Sequence, residues 1–351
     1  MKDIPSVNHP FRPNNANLKY YYLMDFFRKN GYKLIVKIVK KFPWIYSRIV
    51  VFNTVRSGRL LASDHGLNLS VRGNRILISD KKNKSRIVIS WLHRIYLGDM
   101  INSFQYYHNS VESKNSKSFK EVDFSQPKFH RVIGFDEFPI FFPSLAEPIS
   151  TTDQYISFAQ LNPGDTVIDL GAYSGLTSIL FKKAVGKSGR VIAVEADSKN
   201  LQALKINLSN YEKHSSEEIT VLNVAVWRHN LGINFSNEGN MGSSAAEFVG
   251  ERGSGSSRVE TMTLTNIAEK FGLESVEFIK CDIEGAESVI FEDAEFLLKY
   301  RPRIIVEAHP VNGQLSDEKV ISDLAKCGYS SHVIVQQGVM FPLIESSPPL
   351  I

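Results

Sequence analysis

Val167-Ile168-Asp169-Leu170-Gly171-Ala172-Tyr173-Ser174-Gly175 decides the fold. An apolar, β-branched run ends in an acid, and a loop bounded by Gly171 and Gly175 leads into the helical apolar spacing of residues 176–185. The first part reads as a buried strand and the last as a helix. Glycine in the turn lets backbone approach a ligand closely or adopt positive φ. A dinucleotide fingerprint wants glycines one apart and then three further on, so that a pyrophosphate sits on the helix N-terminus. Here the middle glycine is missing and Ala172 and Tyr173 fill the loop, which suits a ligand with no phosphate. Asp169 at the strand end can accept from an ammonium group or from water bound to one. Taken alone, the loop also fits a plain strand-to-helix turn.

Working outward, the chain alternates after Pro148. Helices are predicted over 153–161, 176–185, 199–208, 286–298 and 317–326. Strands are predicted over 166–170, 190–194, 219–226, 276–281, 303–307 and 332–335. This alternation argues for an α/β fold, a doubly wound, mainly parallel sheet with right-handed crossovers. Such sheets bind ligands at the carboxyl ends of their strands, where the strand order reverses. Upstream, residues 67–96 change to period two and read as a small antiparallel meander with turns at Gly73-Asn74 and over 80–84. Residues 110–120, rich in Ser, Lys and Asn, read as a linker or exposed loop, and 135–143 as a lid or docking strand. Two domains are expected: a basic N-terminal α+β extension over 1–140 that docks substrate or partner, and a catalytic domain over 145–351. Residues 239–257, rich in Gly and Ser, read as a mobile flap over the acceptor site.

Two further strand ends carry acids. Glu195 follows the strand after the glycine loop by about twenty residues, a distance at which a carboxylate can accept both hydroxyls of a ribose. Asp197 before Ser198 reads as a helix N-cap. The segment Phe278-Ile279-Lys280-Cys281-Asp282-Ile283-Glu284-Gly285-Ala286-Glu287 empties a buried strand into an acidic turn. Carboxylates there are costly unless solvated or used. Glu287 also suits the N-terminus of the following helix, an explanation that serves Asp282 poorly.

The whole chain has 351 residues with 41 Lys+Arg against 37 Asp+Glu, a net charge of +4. That balance hides an asymmetry: residues 1–150 carry 24 basic and 11 acidic residues, giving +13, and the remainder carries 17 and 26, giving −9. The basic part should attract something anionic. Residues 18–41 read as a helix with a lysine face. Such a helix could lie on an anionic membrane, although packing on the protein with the lysines solvated is the commoner case. Residues 34–55 carry too many charges to span a bilayer, and the start lacks the apolar core of a signal peptide. Two cysteines exclude a disulfide framework and a thiolate zinc site. A cytoplasmic protein is expected, in peripheral contact at most with the membrane face.

The segments 169–175, 195–197 and above all 279–287 resemble the FkbM family of S-adenosylmethionine-dependent methyltransferases, as do Arg303-Ile304-Ile305-Val306-Glu307-Ala308-His309, Asn223-Val224-Ala225-Val226-Trp227 and Thr263-Leu264. The likeness covers roughly residues 145–310. It implies a class I methyltransferase fold and S-adenosylmethionine as cofactor. Asp169, Gly171, Tyr173, Ser174 and Gly175 would cradle its methionine end, Glu195 its ribose, and Ala225 and Val226 would flank the adenine. Two departures stand out: Thr265 and Asn266 follow Thr263-Leu264 where an acid is frequent, and Tyr173-Ser174 occupy a place often held by asparagine. For an alcohol acceptor, a base must stand at the mouth of the crevice; Asp282 is the first candidate and His309 the second, with Glu284 orienting the acceptor or a catalytic residue. The carboxylates would also suit a divalent ion. Solvated or hydrogen-bonded acids are the more frequent case, so no metal is assigned. The expected activity is O-methylation of a hydroxyl on a glycan, glycolipid or other small molecule. The alternatives are a nucleic-acid methyltransferase, disfavoured by the acidic mouth, and a non-catalytic scaffold.

Overall fold

The computed structural model describes residues 43–146, 148–236, 244–245, 256–336, 339 and 341–349. The chain divides into two units, Met1–Leu60 and Leu61–Ile351. The predicted helix over 18–41 and most of the predicted flap lie outside the described residues. In the first unit the described residues belong to helix α1 (Pro43–Asp64), which exposes Val51, Phe52 and Leu60. Among the described residues no helix is long and apolar enough to cross a membrane.

The second unit opens with strands β1 (Asn68–Arg72), β2 (Arg75–Asp80) and β3 (Ser85–Ser90), the expected antiparallel meander. Helices α2 (Leu97–Asn102) and α3 (Phe104–His108) follow. The predicted loop over 110–120 is instead mostly structured. Strand β4 (Lys114–Ser116) pairs antiparallel with β5 (Phe119–Phe124), and β5 runs parallel to β3. The polar composition that suggested a linker is what an edge strand needs to discourage further pairing. Strands β6 (Lys128–Val132) and β7 (Phe135–Phe142) form a hairpin. Far from acting as a lid, β7 buries Phe138, Ile140 and Phe142 and is stapled to a helix described next.

After α4 (Ile149–Ala159) come β8 (Thr166–Leu170), α5 (Leu176–Val185), β9 (Arg190–Val194), α6 (Ser198–Ser215) and β10 (Thr220–Leu222). Asp197 caps α6 as expected, accepting from the N–H groups of Lys199 and Asn200. Asn207 on α6 donates to Phe141 O and accepts from Phe141 N, each at 2.8 Å, which fixes β7. The predicted strand 219–226 breaks at Asn223, whose amide reaches back to Glu195 O at 2.7 Å. The chain resumes as β11 (Ala225–Val226) in a different pairing. Strands β12 (Ile233–Ser236), β13 (Ser244–Ala245) and β14 (Ser256–Val259) form a small antiparallel sheet, so the described ends of the predicted flap are strands. Next come β15 (Thr261–Met262), the partner of β11, and α7 (Leu264–Lys270).

Strand β16 (Phe278–Cys281) leads to α8 (Glu287–Ile290) and α9 (Ala294–Tyr300), two helices where one was expected. Asp293 restarts the second by accepting from Phe296 N. The remaining elements are β17 (Arg303–Glu307), β18 (Pro310–Val311), β19 (Gln314–Leu315), α10 (Asp317–Lys326), β20 (Ser330–Ile334) and β21 (Leu343–Ser347). Strand β21 was not expected, because its polar Glu345-Ser346-Ser347 stretch hides the strand period.

The main sheet has the order β10-β9-β8-β16-β17-β21-β20. All neighbours are parallel except β21, which is antiparallel to β17 and β20. Strands β8 and β16 are buried along their whole length, which is why their sequences are mostly apolar, interrupted within the sheet by Asp169 and Lys280. The strand order reverses between β8 and β16, and the crevice opens there, at the carboxyl ends.

Candidate active site

The loop after β8 is shaped by two close approaches within the chain. Gly171 has φ +77°, and a Cβ there would stand 1.8 Å from the carbonyl oxygen of Asp282. Gly175 has φ +85°, and a Cβ there would meet Leu204 Cδ1 of α6 at 2.5 Å. The glycines therefore allow the loop to pass the β16 turn and the helix, where a close approach to a ligand was expected. Between them Tyr173 adopts φ 49°. Its hydroxyl donates to Leu145 O at 2.9 Å and meets the Ser144 hydroxyl at 2.8 Å, so the ring anchors the segment after β7. Its N–H donates to Glu195 Oε2 at 2.8 Å. Ser174 is buried, and its carbonyl accepts from Asn207 Nδ2 at 2.8 Å.

Asp169 does not face the crevice. Register places it beside Lys280 on β16, and the Lys280 ammonium stands 3.3 Å from Asp169 Oδ1, both side chains almost wholly buried. Lys280 also donates to Gly171 O at 2.8 Å. The ammonium expected near Asp169 is thus supplied by the protein, and the pair ties the glycine loop to β16.

Glu195, at the end of β9, lines the crevice together with Gly171, Tyr173, Asn200, Ala225 and Val226. It accepts from Tyr173 N and, at 2.7 Å, from Asp197 N. Burial pushes its carboxyl up to about 8, against the pull of those two donors. The apolar wall is completed by Trp227, Phe235 and Ala245 on one side and Ile283 and Ala286 on the other.

Asp282 and Glu284 form the acidic rim of the crevice. Glu284 holds φ 53° before Gly285 at φ 107°, a sharp turn that folds the chain back over the strand end. Burial pushes the Glu284 carboxyl up to about 8, with Asp282 adding to the rise and His309 opposing it. His309, 3% exposed, lies just beyond β17. Its Nε2 is 3.6 Å from Asp282 Oδ1, 3.8 Å from Glu284 Oε1 and 3.7 Å from Glu307 Oε1. Its Nδ1 is 3.3 Å from Glu287 Oε1. Burial alone would lower the imidazole's pKa, but Glu284, Glu287 and Asp282 outweigh it and hold the ring well above its ordinary value. A ring held cationic cannot serve as the base expected of it. Glu287 is not a dipole partner in solvent: it accepts from Gly285 N at 2.7 Å, His309 N at 2.8 Å and Ser316 Oγ at 2.9 Å. Burial would raise its carboxyl, but His309 and these bonds bring it below the usual range. Burial pushes the Cys281 thiol up, which removes it as a nucleophile.

The structure thus gathers Gly171, Tyr173, Glu195, Ala225, Val226, Asp282 and Glu284 around one crevice, with His309 behind the rim. Asp169, Ser174 and Gly175 support the loop from behind. Sequence reasoning missed Trp227, Asn200 and Glu307, and it missed the role of Lys280. Lys280 was legible in principle, because a lysine inside an apolar strand demands a buried acid beside it.

Residues 169–331 match the methyltransferase FkbM domain. No curated protein matches the chain. Among solved structures, precorrin-6y C5,15-methyltransferase from Geobacter metallireducens GS-15 is 15% identical at a TM-score of 0.37, covering 57% of this chain and 88% of that one. Methyltransferase FkbM from Methylobacillus flagellatus KT is 16% identical at a TM-score of 0.37, covering 55% of this chain and 50% of that one. The O-methyltransferase from Bacillus cereus in complex with SAH is 12% identical at a TM-score of 0.35, covering 57% and 79%. The segment that builds the crevice, residues 169–331, is the part of the chain that is similar to a methyltransferase FkbM domain.

Proposed function

We propose that this chain transfers a methyl group from S-adenosylmethionine to a hydroxyl oxygen of a glycan, glycolipid or other small molecule. The observation that carries the reading is one crevice walled by Glu195 on one side and by Asp282 and Glu284 on the other. The donor set fits the cofactor: a buried acid for a diol, an apolar slot at Ala225, Val226 and Trp227 for a planar base, and a carboxylate rim for a cation. When bound, S-adenosylmethionine supplies an electrophilic methyl on a sulfonium. Glu195 would hold the ribose hydroxyls, and the backbone of Gly171 and Tyr173 the methionine end. Asp169, Ser174 and Gly175 act through the loop they shape. Asp282 would accept the proton of the acceptor hydroxyl, and Glu284 would orient that hydroxyl. His309 fixes both carboxylates by its charge.

An acidic rim repels phosphates, which supports a neutral or hydroxyl-rich acceptor over nucleic acid. The test is incubation of the full chain with methyl-labelled cofactor and fractionated cell extract, followed by mass spectrometry. Label on an ether oxygen is expected; label on nucleic acid, or none, would overturn the reading. Asp282→Asn should keep cofactor affinity and lower turnover by about 10²–10⁴-fold. Undiminished turnover would remove Asp282 as the proton acceptor.

A further inference from the structure

We propose that Asp282, Glu284 and His309 form a site for one first-row divalent cation of the Mn²⁺ class at the mouth of the crevice. The inference stands on the geometry of the cluster, apart from the methyl-transfer reading. His309 Nε2 faces carboxylate oxygens of Asp282, Glu284 and Glu307 at 3.6, 3.8 and 3.7 Å, beyond hydrogen-bond reach of each. The ligand atoms of Asp282, Glu284 and His309 lie within 4.8 Å of one another. An ion bonded at about 2.2 Å separates opposite ligands by about 4.4 Å. The three atoms therefore stand near the spacing of groups that share an ion, and small side-chain rotations close the set.

The other side of the ring supplies an independent sign. A metal-bound histidine ordinarily turns its second nitrogen toward a carboxylate that is itself held by hydrogen bonds. Glu287 is such a group: Oε1 stands 3.3 Å from His309 Nδ1, and the carboxylate is pinned by Gly285 N, His309 N and Ser316 Oγ. It is buried beside the 3% exposed imidazole, whose Nε2 faces the rim carboxylates of Asp282 and Glu284.

Asp282, Glu284, Glu287 and Glu307 surround the ring, so carboxylate oxygens face Nε2, the donors a divalent cation takes beside an imidazole. On binding, the ion displaces the proton from His309 Nε2 to solvent, and one nitrogen with two carboxylates suits a first-row metal better than Ca²⁺, which takes oxygen ligands. Bound there, the ion would face the acceptor and lower the pKa of a hydroxyl placed on it.

The test uses the full chain stripped of metal by a chelator and titrated with MnCl₂, following the free-ion electron paramagnetic resonance signal. One Mn²⁺ per chain is expected, with pulsed spectra showing coupling to one imidazole nitrogen. His309→Gln and Glu284→Gln should each weaken binding by roughly tenfold or more, and the nitrogen coupling should vanish in His309→Gln. Circular dichroism checks that the variants fold, and Glu284→Gln, at the half-buried rim, serves if His309→Gln does not. A free-ion signal unchanged by the folded wild type, or equal binding by folded Glu284→Gln without nitrogen coupling, would overturn the site. Calorimetry with S-adenosylmethionine on the same sample separates the two readings. Cofactor binding without Mn²⁺ uptake overturns only this inference, and Mn²⁺ uptake without cofactor binding overturns only methyl transfer.

Discussion

Glu195 shows how much one buried carboxylate can carry. Its oxygens already accept from Tyr173 N and Asp197 N, and burial pushes its pKa up to about 8. The folded protein therefore keeps a proton on this group up to about 8, while the unfolded chain releases it near the ordinary value of 4.5. Raising the pH through that window favours unfolding, because the folded state binds more protons there. Glu195→Gln has no proton to lose, so its thermal midpoint should fall less steeply with pH than that of the wild type. A change of 1 kcal/mol corresponds to roughly 2–4 °C in chains of this kind of size, so scanning calorimetry across pH resolves the difference. The same variant should bind S-adenosylmethionine at least about tenfold more weakly, the loss of roughly one hydrogen bond to a ribose hydroxyl. Unchanged affinity in a calorimetric titration would free Glu195 from the ribose. Asp169 teaches the complementary lesson: an acid at a strand end beside a glycine loop reads as a ligand contact, and only the register with Lys280 shows that it is spent inside the protein.

At the scale of elements, the glycine loop is held by its neighbours. Gly171 cannot be replaced without displacing the turn after β16, since the added Cβ would stand 1.8 Å from Asp282 O. Gly186, which ends α5 at φ +65°, has nothing within 4 Å of the equivalent position. Both Ala variants incur the cost of a positive φ, about 1–2 kcal/mol, but only Gly171→Ala adds a backbone clash, at about 1–3 kcal/mol. Denaturant unfolding should therefore rank Gly171→Ala well below Gly186→Ala, and Gly171→Ala alone should lose cofactor binding. Equal stability of the two variants would contradict the crossing of the two loops. The elements misread from sequence have different causes. Residues 114–116 are a polar edge strand in a tight hairpin with 119–121, residues 343–347 pair with 304–307 some forty residues away, and the break of 219–226 at Asn223 depends on a hydrogen bond to Glu195 O.

At the scale of the molecule, within residues 61–351, Asn207 joins parts that the sequence keeps far apart. From α6 it makes two hydrogen bonds to Phe141 on β7 and one to Ser174 O in the glycine loop. Asn207→Ala leaves these backbone groups without their partner, a cost of about 1–3 kcal/mol for each group that stays unsatisfied. It should lower both the unfolding midpoint and cofactor affinity, read by denaturant titration and calorimetry. Loss of stability with full affinity would show that β7 and the loop are not coupled. The sequence by itself determined the α/β order of the catalytic half, the glycine loop, the cap at Asp197 and the positions of Glu195, Asp282 and Glu284, because periodicity and strand-end chemistry are local properties of a chain. Only the tertiary structure decided that Asp169 belongs to Lys280, that Tyr173 anchors the segment after β7, and that His309 is enclosed by carboxylates from two stretches of chain, 282–287 and Glu307. Those facts depend on strand register and on the meeting of loops more than twenty residues apart, and no local pattern encodes which buried charges will share one space.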